Sequence, residues 1–188
     1  MDKKSSPNDR FTPKKRKKIT QSYLENAGAY YLERFSASIT QFKKVMGRKI
    51  ELSCRDHPEQ DKEACFVSLE IVIKKFESLA YLNDNNYGRI LVGSLQNKGM
   101  SHTRLLMTLR LKGLSEDIID QIAPERDIDN DKKSALRWAK RKRLGPFSLR
   151  VRENDMSRGL SSLARAGFDY DVAKWVMSMS VNEAENLL

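Results

Sequence analysis

The sequence predicts an all-α protein assembled from tandem three-helix units. Three observations lead there. Apolar residues recur at steps of three or four from Ile19 onward, no period-two run of useful length interrupts them, and a helix–glycine–helix pattern occurs twice at a constant spacing. With 188 residues and 39% hydrophobic content, the chain can form one ordinary domain or several small units sharing a continuous core.

Residues 1–18 combine Ser, Pro, Asn and Asp with a KKRKK run. They offer too little apolar area to offset ordering entropy and are expected to be a disordered basic arm. Tyr23, Leu24, Ala27, Tyr31 and Phe35 then share one helical face, and Ile39, Phe42, Val45, Met46 and Ile50 another. The polar stretch SCRDHPEQDKE interrupts, because His57-Pro58 disfavours helix continuation. A long helix is expected from Ala64 to Tyr81, with Phe66, Leu69, Val72, Ile73, Phe76 and Leu79 toward the core. The Asn and Asp residues at 83–86 cap a helix that ends at Lys98-Gly99. Ser101 caps a short helix presenting Leu105, Leu106 and Leu109, which Lys112-Gly113 stops. Ser115 is placed to cap a third, with Ile118, Ile119 and Ile122 inward, closed by Ala123-Pro124.

The stretch Arg104–Ile122 matches Arg158–Val176 at a constant offset of 54. Arg104 meets Arg158, Leu106 meets Leu160, Leu109 meets Leu163, Gly113 meets Gly167, Ser115 meets Asp169 and Ile118 meets Val172. A preceding helix is shared, 83–98 in one copy and 129–144 in the other, and a weaker third copy begins around Phe42, Val45 and Arg48. The pattern divides the chain into the arm at 1–18 and units at 19–80, 81–127 and 128–188.

The net charge of +10 is not spread evenly. Residues 1–18 hold +6 and residues 132–158 hold +8, leaving the rest acidic, and 115–131 sets seven acids against Arg126. Such polarity points to a polyanionic partner, with the acidic stretch available to a second one. No apolar run approaches the roughly 20 residues that span a bilayer, and the N-terminal residues show no signal-peptide pattern. Two cysteines, Cys54 and Cys65, fit a reduced compartment better than a disulfide framework. The expectation is a soluble cytoplasmic protein.

The middle unit carries LNDNNYGRILVGSLQNKGMSHTRLLMTLRLKGLSEDII, which resembles the RecX family. The residues that carry the likeness are Leu82, Asp84, Tyr87, Lys98, Gly99, Arg104, Leu109, Lys112, Gly113 and Ile118, and it extends loosely over 22–180. Gly88 and Ser101-His102 depart from the usual pattern. The resemblance implies three tandem three-helix repeats forming an elongated, curved, right-handed or superhelical array. It further implies a non-enzymatic regulator that binds the RecA recombinase filament on DNA, suppresses strand exchange and ATP hydrolysis, and limits filament growth; the chain is expected to be a monomer that needs no cofactor.

The candidate binding residues lie mainly on the helix at 131–144. At 100° per residue, Lys133, Arg137, Lys140 and Arg141 form a stripe opposite Ala135, Trp138 and Ala139, with no interleaved acid. Such a stripe can follow phosphates, of single-stranded or duplex DNA, or an acidic groove. Arg104, Arg110 and Lys112, then Arg158 and Arg165, are candidates to extend it. Asp129 and Asp131 are expected to serve as helix-opening charges. Trp138, Trp175 and Phe168 are spaced for the core rather than for stacking on bases.

Other classes find little support. Cys54, His57 and Cys65 offer three zinc ligand types with no partner cluster, so no metal is assigned. No P-loop, HExxH, GxSxG or GxGxxG string occurs, and two histidines leave little material for a general base. A general nucleic-acid binder or helix-turn-helix regulator remains the alternative, which requires an exposed helix aiming Asn, Gln or Arg at base edges.

Overall fold

A computed structural model describes residues 15–149 and 154–188. The described residues form ten α-helices and one 3-10 turn, with no strand, so the fold class is all-α. Two compact units divide them. Most of the expected arm, residues 1–14, lies outside the described residues.

The first unit comprises residues through Phe35 together with Phe42–Leu79. It contains α1 (Gln21–Leu32), most of α2 (Ile39–Asp56) and α3 (Lys62–Ser78). Thr20 caps α1 by accepting the Tyr23 N–H at 3.1 Å, and Asp61 caps α3 through Glu63 and Ala64. Leu24, Phe42, Met46, Ile50, Leu69 and Val72 are wholly buried between the helices, with the Phe42 and Phe76 rings 5.7 Å apart. α2 continues through the polar stretch to Asp56 before His57-Pro58 ends it. The stretch also anchors residues 16–19. Asp56 accepts the Arg16 N–H at 3.0 Å, Ser53 donates to the Lys17 carbonyl at 2.8 Å, and Gln60 accepts the Ile19 N–H at 3.2 Å. His57 Nε2 lies 2.7 Å from the Arg16 carbonyl, so the loop histidine is a tether. Burial pushes the Cys65 thiol pKa up, with Cys54 beside it.

The second unit comprises Ser36–Gln41 and Ala80–Leu188. Its helices are α4 (Asp84–Asn97), α5 (His102–Leu111), α6 (Glu116–Ile122), α7 (Ile128–Lys142), α8 (Asp155–Arg165), α9 (Tyr170–Met177) and α10 (Val181–Asn186), with a 3-10 turn at Gly145–Phe147. One apolar cluster joins α4, α5 and α6 through Val92, Leu95, Leu105, Leu109 and Ile119. A second joins α7, α8, α9 and α10 through Leu136, Leu163, Val176 and Ala184.

The offset of 54 has a backbone counterpart. Gly113 and Gly167 both adopt positive φ, +81° and +85°. Each donates to the carbonyl three residues back, and the following residue to the carbonyl five back. This is the Schellman-type close of α5 and of α8, a conformation that glycine adopts without strain. The helix after each turn begins at an equivalent residue, but the capping differs from expectation. Ser115 occupies the cap position of α6 without making a side-chain bond, and Asp169, its counterpart before α9, gives its carboxylate to Arg126 at 2.5 Å.

A second pattern recurs, and its partners are far apart in sequence. Ser38, just before α2, donates to the Lys112 carbonyl at the end of α5, while the Ile39 N–H reaches Asp84 at 2.8 Å. Ser101, just before α5, donates to the Ala166 carbonyl at the end of α8 at 2.6 Å, while the His102 N–H reaches Asp131 at 3.2 Å. Both serines are fully buried. In each case hydroxyl and amide donors at one helix start meet the carbonyl end of a later helix and the carboxylate of an intervening one. Asp131 therefore does more than supply a helix-opening charge: it ties α7 to α5.

Asp84 supplies a pH-dependent test of this junction. Its burial raises the carboxyl pKa, opposed by the Ile39 N–H. A raised pKa means the folded state holds the proton more tightly, so this contribution to stability declines as pH climbs through the folded-state value. Asp84→Asn, which keeps an acceptor without the charge, is expected to preserve or raise stability at neutral pH in urea unfolding. Asp84→Ala is expected to cost about 1–3 kcal/mol by stranding the Ile39 N–H.

Candidate functional site

The site is built on α7. Asp127 caps its start by accepting the Asp129 N–H at 3.0 Å, and Arg143 ends it in the left-handed region at φ 54°, its N–H reaching the Ala139 and Lys140 carbonyls. Asp131, Ser134, Ala135, Leu136 and Ala139 are buried. Lys133, Arg137, Lys140 and Arg141 are all exposed, and none of them forms an ion pair with another described residue. Lys140 and Arg141 also lie in the last turn, where the carbonyl end of the helix favours positive charge.

Trp138 is less separate from these cations than the helical wheel suggests. It is partly buried, and the Arg141 guanidinium stands 4.5 Å from its ring centroid, Lys142 5.6 Å and Arg104 6.0 Å. Its indole N–H is buried without a hydrogen-bond partner among the described residues. Trp175 has a similar neighbour in Lys132, at 5.3 Å, whereas Phe168 is buried in the core.

The other candidates divide into two groups. Arg104 joins the α7 surface: its guanidinium lies near Trp138 and donates to the Arg165 carbonyl at 3.2 Å. Arg158 and Arg165 project from α8 and line an open cleft of about 370 Å³ with Ser157, Ser161, Ser162 and Leu144. An adjoining cleft of about 400 Å³ shares Leu144 and Arg158 and adds Lys142, Arg143 and Asp155. Arg110 and Lys112 stand apart. They lie at the far end of α5 from Arg104, about 9–12 Å along the axis. Arg110 is also engaged by Glu116, with its Nε and Nη2 at 2.8 and 2.9 Å from the two carboxylate oxygens, a pairing that lowers the Glu116 pKa. It is thus removed from the free basic surface, because Glu116 faces it across the Gly113 turn.

Lys142, Arg143 and the three α8 hydroxyls escaped the sequence reading. The 140–143 KRKR run and the spacing Ser157, Ser161, Arg165 on one helical face carried the signal. Among the described residues, no group of three or more His, Cys, Asp or Glu stands together as metal ligands, and no helix is long and apolar enough to cross a membrane.

The chain is 34% identical over 168 residues to the regulatory protein RecX of Myxococcus xanthus, an alignment covering 88% of this chain and 89% of that protein. The chain belongs to the RecX family. The regulatory protein RecX of Agrobacterium fabrum is 27% identical over 89% of this chain and 88% of its own length. That of Amycolatopsis mediterranei is 30% identical over 61% of this chain and 65% of its own. No protein-family model matches the sequence, and no solved structure matches it. RecX membership covers both structural units, and the α7 cations lie within its larger one.

Proposed function

We propose that this RecX-family chain regulates a RecA-type recombinase by binding its filament on DNA, thereby suppressing ATP hydrolysis and strand exchange. The observation that carries the reading is the exposed stripe Lys133, Arg137, Lys140 and Arg141, which no described acid neutralises, in a chain similar over most of its length to proteins named as regulators. Cations left unpaired on a rigid helix are available to a polyanionic filament. The protein acts by binding and carries no chemistry of its own. The recurrent serine–carbonyl junction supports a tandem-repeat organisation with units at 19–80, 81–127 and 128–188.

The test is co-sedimentation with RecA–DNA filaments alongside a single-strand-dependent ATPase assay. Binding to filament with loss of ATPase activity is expected. If excess protein leaves the ATPase unchanged, the regulatory reading fails; if it binds duplex DNA alone as tightly as filament, a general nucleic-acid binder is the better description.

A further inference from the structure

We propose that the exposed face of α8 is a binding site for the phosphodiester backbone of nucleic acid. The inference deepens the filament-binding reading, and its test needs no recombinase. Ser157, Arg158, Ser161, Ser162 and Arg165 line the cleft beside Leu144, giving three hydroxyl donors and two guanidiniums with no carboxylate among them. None of the five side chains makes a hydrogen bond or ion pair with another described residue. The acid nearest in sequence, Asp155, lines the adjoining cleft instead.

The internal correspondence explains why these donors are free. Arg104 and Ser101, at the start of α5, are consumed by the carbonyl end of α8, through Arg165 and Ala166. Arg158 stands 54 residues beyond Arg104, and no later helix end reaches it among the described residues. Its position was built to meet oxygen, and here it meets solvent.

The surroundings have changed in the same sense. At the equivalent places on α5, Met107 and Leu111 are apolar and 61% and 79% exposed; on α8 they are replaced by Ser161 and Arg165. Short hydroxyls let a backbone approach the helix closely, while guanidiniums bind phosphate oxygens in pairs. Arg158 and Arg165 are seven residues apart, about 10 Å along the axis, which suits two separate phosphates of a strand better than one free phosphate. Lys142 and Arg143, beside Arg158 in the adjoining cleft, extend the positive frame.

Trp138 provides a local reporter, since Arg104 links its ring to the Arg165 carbonyl and the only other tryptophan is Trp175. In a full-length Trp175→Phe protein, fluorescence is titrated with a thymidylate dodecamer, a duplex of the same length, and inorganic pyrophosphate. Both oligonucleotides are expected to give saturable changes, with pyrophosphate much weaker. Adding Arg158→Gln and Arg165→Gln is expected to weaken single-strand binding about tenfold or more and to lower the salt slope by roughly 1.4. A Ser157→Ala/Ser161→Ala/Ser162→Ala variant, unchanged in charge, is expected to lose several-fold in affinity at an unchanged slope. Circular dichroism confirms that each variant remains helical. Wild-type affinity and slope in both folded variants would overturn the site, as would pyrophosphate competing as well as the oligonucleotides. Variants that keep DNA affinity but lose control of the recombinase would make the face a protein contact, overturning this proposal and sparing the regulatory one. Loss of DNA affinity in a protein that never controls the recombinase would do the reverse.

Discussion

Replacing Lys133, Arg137, Lys140 and Arg141 together by Glu is expected to abolish control of the recombinase ATPase at concentrations where the unmodified protein saturates. Each substitution changes the local charge by two, so the four remove most of the +10 excess. If each cation neutralises one phosphate, losing four contacts lowers the salt slope by roughly 3 and affinity by about 10²–10⁴-fold at moderate salt. An acidic protein groove would lose comparable affinity through like-charge repulsion. The cost to folding is smaller. All four side chains are exposed and without described ion-pair partners, and such substitutions usually change stability by less than about 0.5 kcal/mol each. Lys140 and Arg141 are exceptions, because glutamate in the last turn opposes the helix dipole and costs about 0.3–1 kcal/mol. Circular dichroism and the ATPase assay therefore separate misfolding from lost binding. Full inhibition by a folded quadruple variant would show that the stripe is only a solvated face.

Much of the fold was legible because its signals are local. The helix expected at 83–98 is found at Asp84–Asn97, and glycines at 99 and 113 mark the ends of α4 and α5 as anticipated. The long helix expected from Ala64 to Tyr81 instead runs Lys62–Ser78, because Asp61 caps it earlier and Ala80 turns to positive φ. α10 was missed although Ser180 and Glu183 spell its reciprocal cap, which the structure forms.

The site was only partly legible. A helical wheel identifies Lys133, Arg137, Lys140 and Arg141 because their exposure depends on α7 alone. It cannot reveal that Glu116 occupies Arg110, since that pair bridges two helices across a turn. Nor can it show that Arg104 and Arg141 lean on Trp138, or that Arg104 ends at a carbonyl 61 residues away. The serine junctions are hidden for the same reason, as Ser38 and Lys112 are 74 residues apart. The repeat offset marked both glycine turns without showing what docks on them.

That docking gives Gly113→Ala a large expected cost in stability. At φ +81° an L side chain costs about 1–2 kcal/mol from backbone strain. The added Cβ would also lie 2.4 Å from the Thr40 Cβ, so the start of α2 must move. Movement there strains the Thr40 hydroxyl bond to the Gly113 carbonyl, 2.9 Å, and the buried bond from Ser38 to Lys112. Together these effects are expected to cost about 3–5 kcal/mol, among the largest values for a single substitution. Gly167→Ala shares the strain and meets the buried Ser101 hydroxyl at 2.7 Å, which could yield only by giving up its bond to the Ala166 carbonyl, so a loss of comparable origin is expected. Gly93, inside α4 with open space around it, supplies the control: Gly93→Ala is expected to stabilise by about 0.5–1 kcal/mol. Urea unfolding of the three variants orders them directly. If Gly113→Ala unfolds at the midpoint of the unmodified protein, the α5 turn does not dock on α2 as described, and the serine junction loses its structural role.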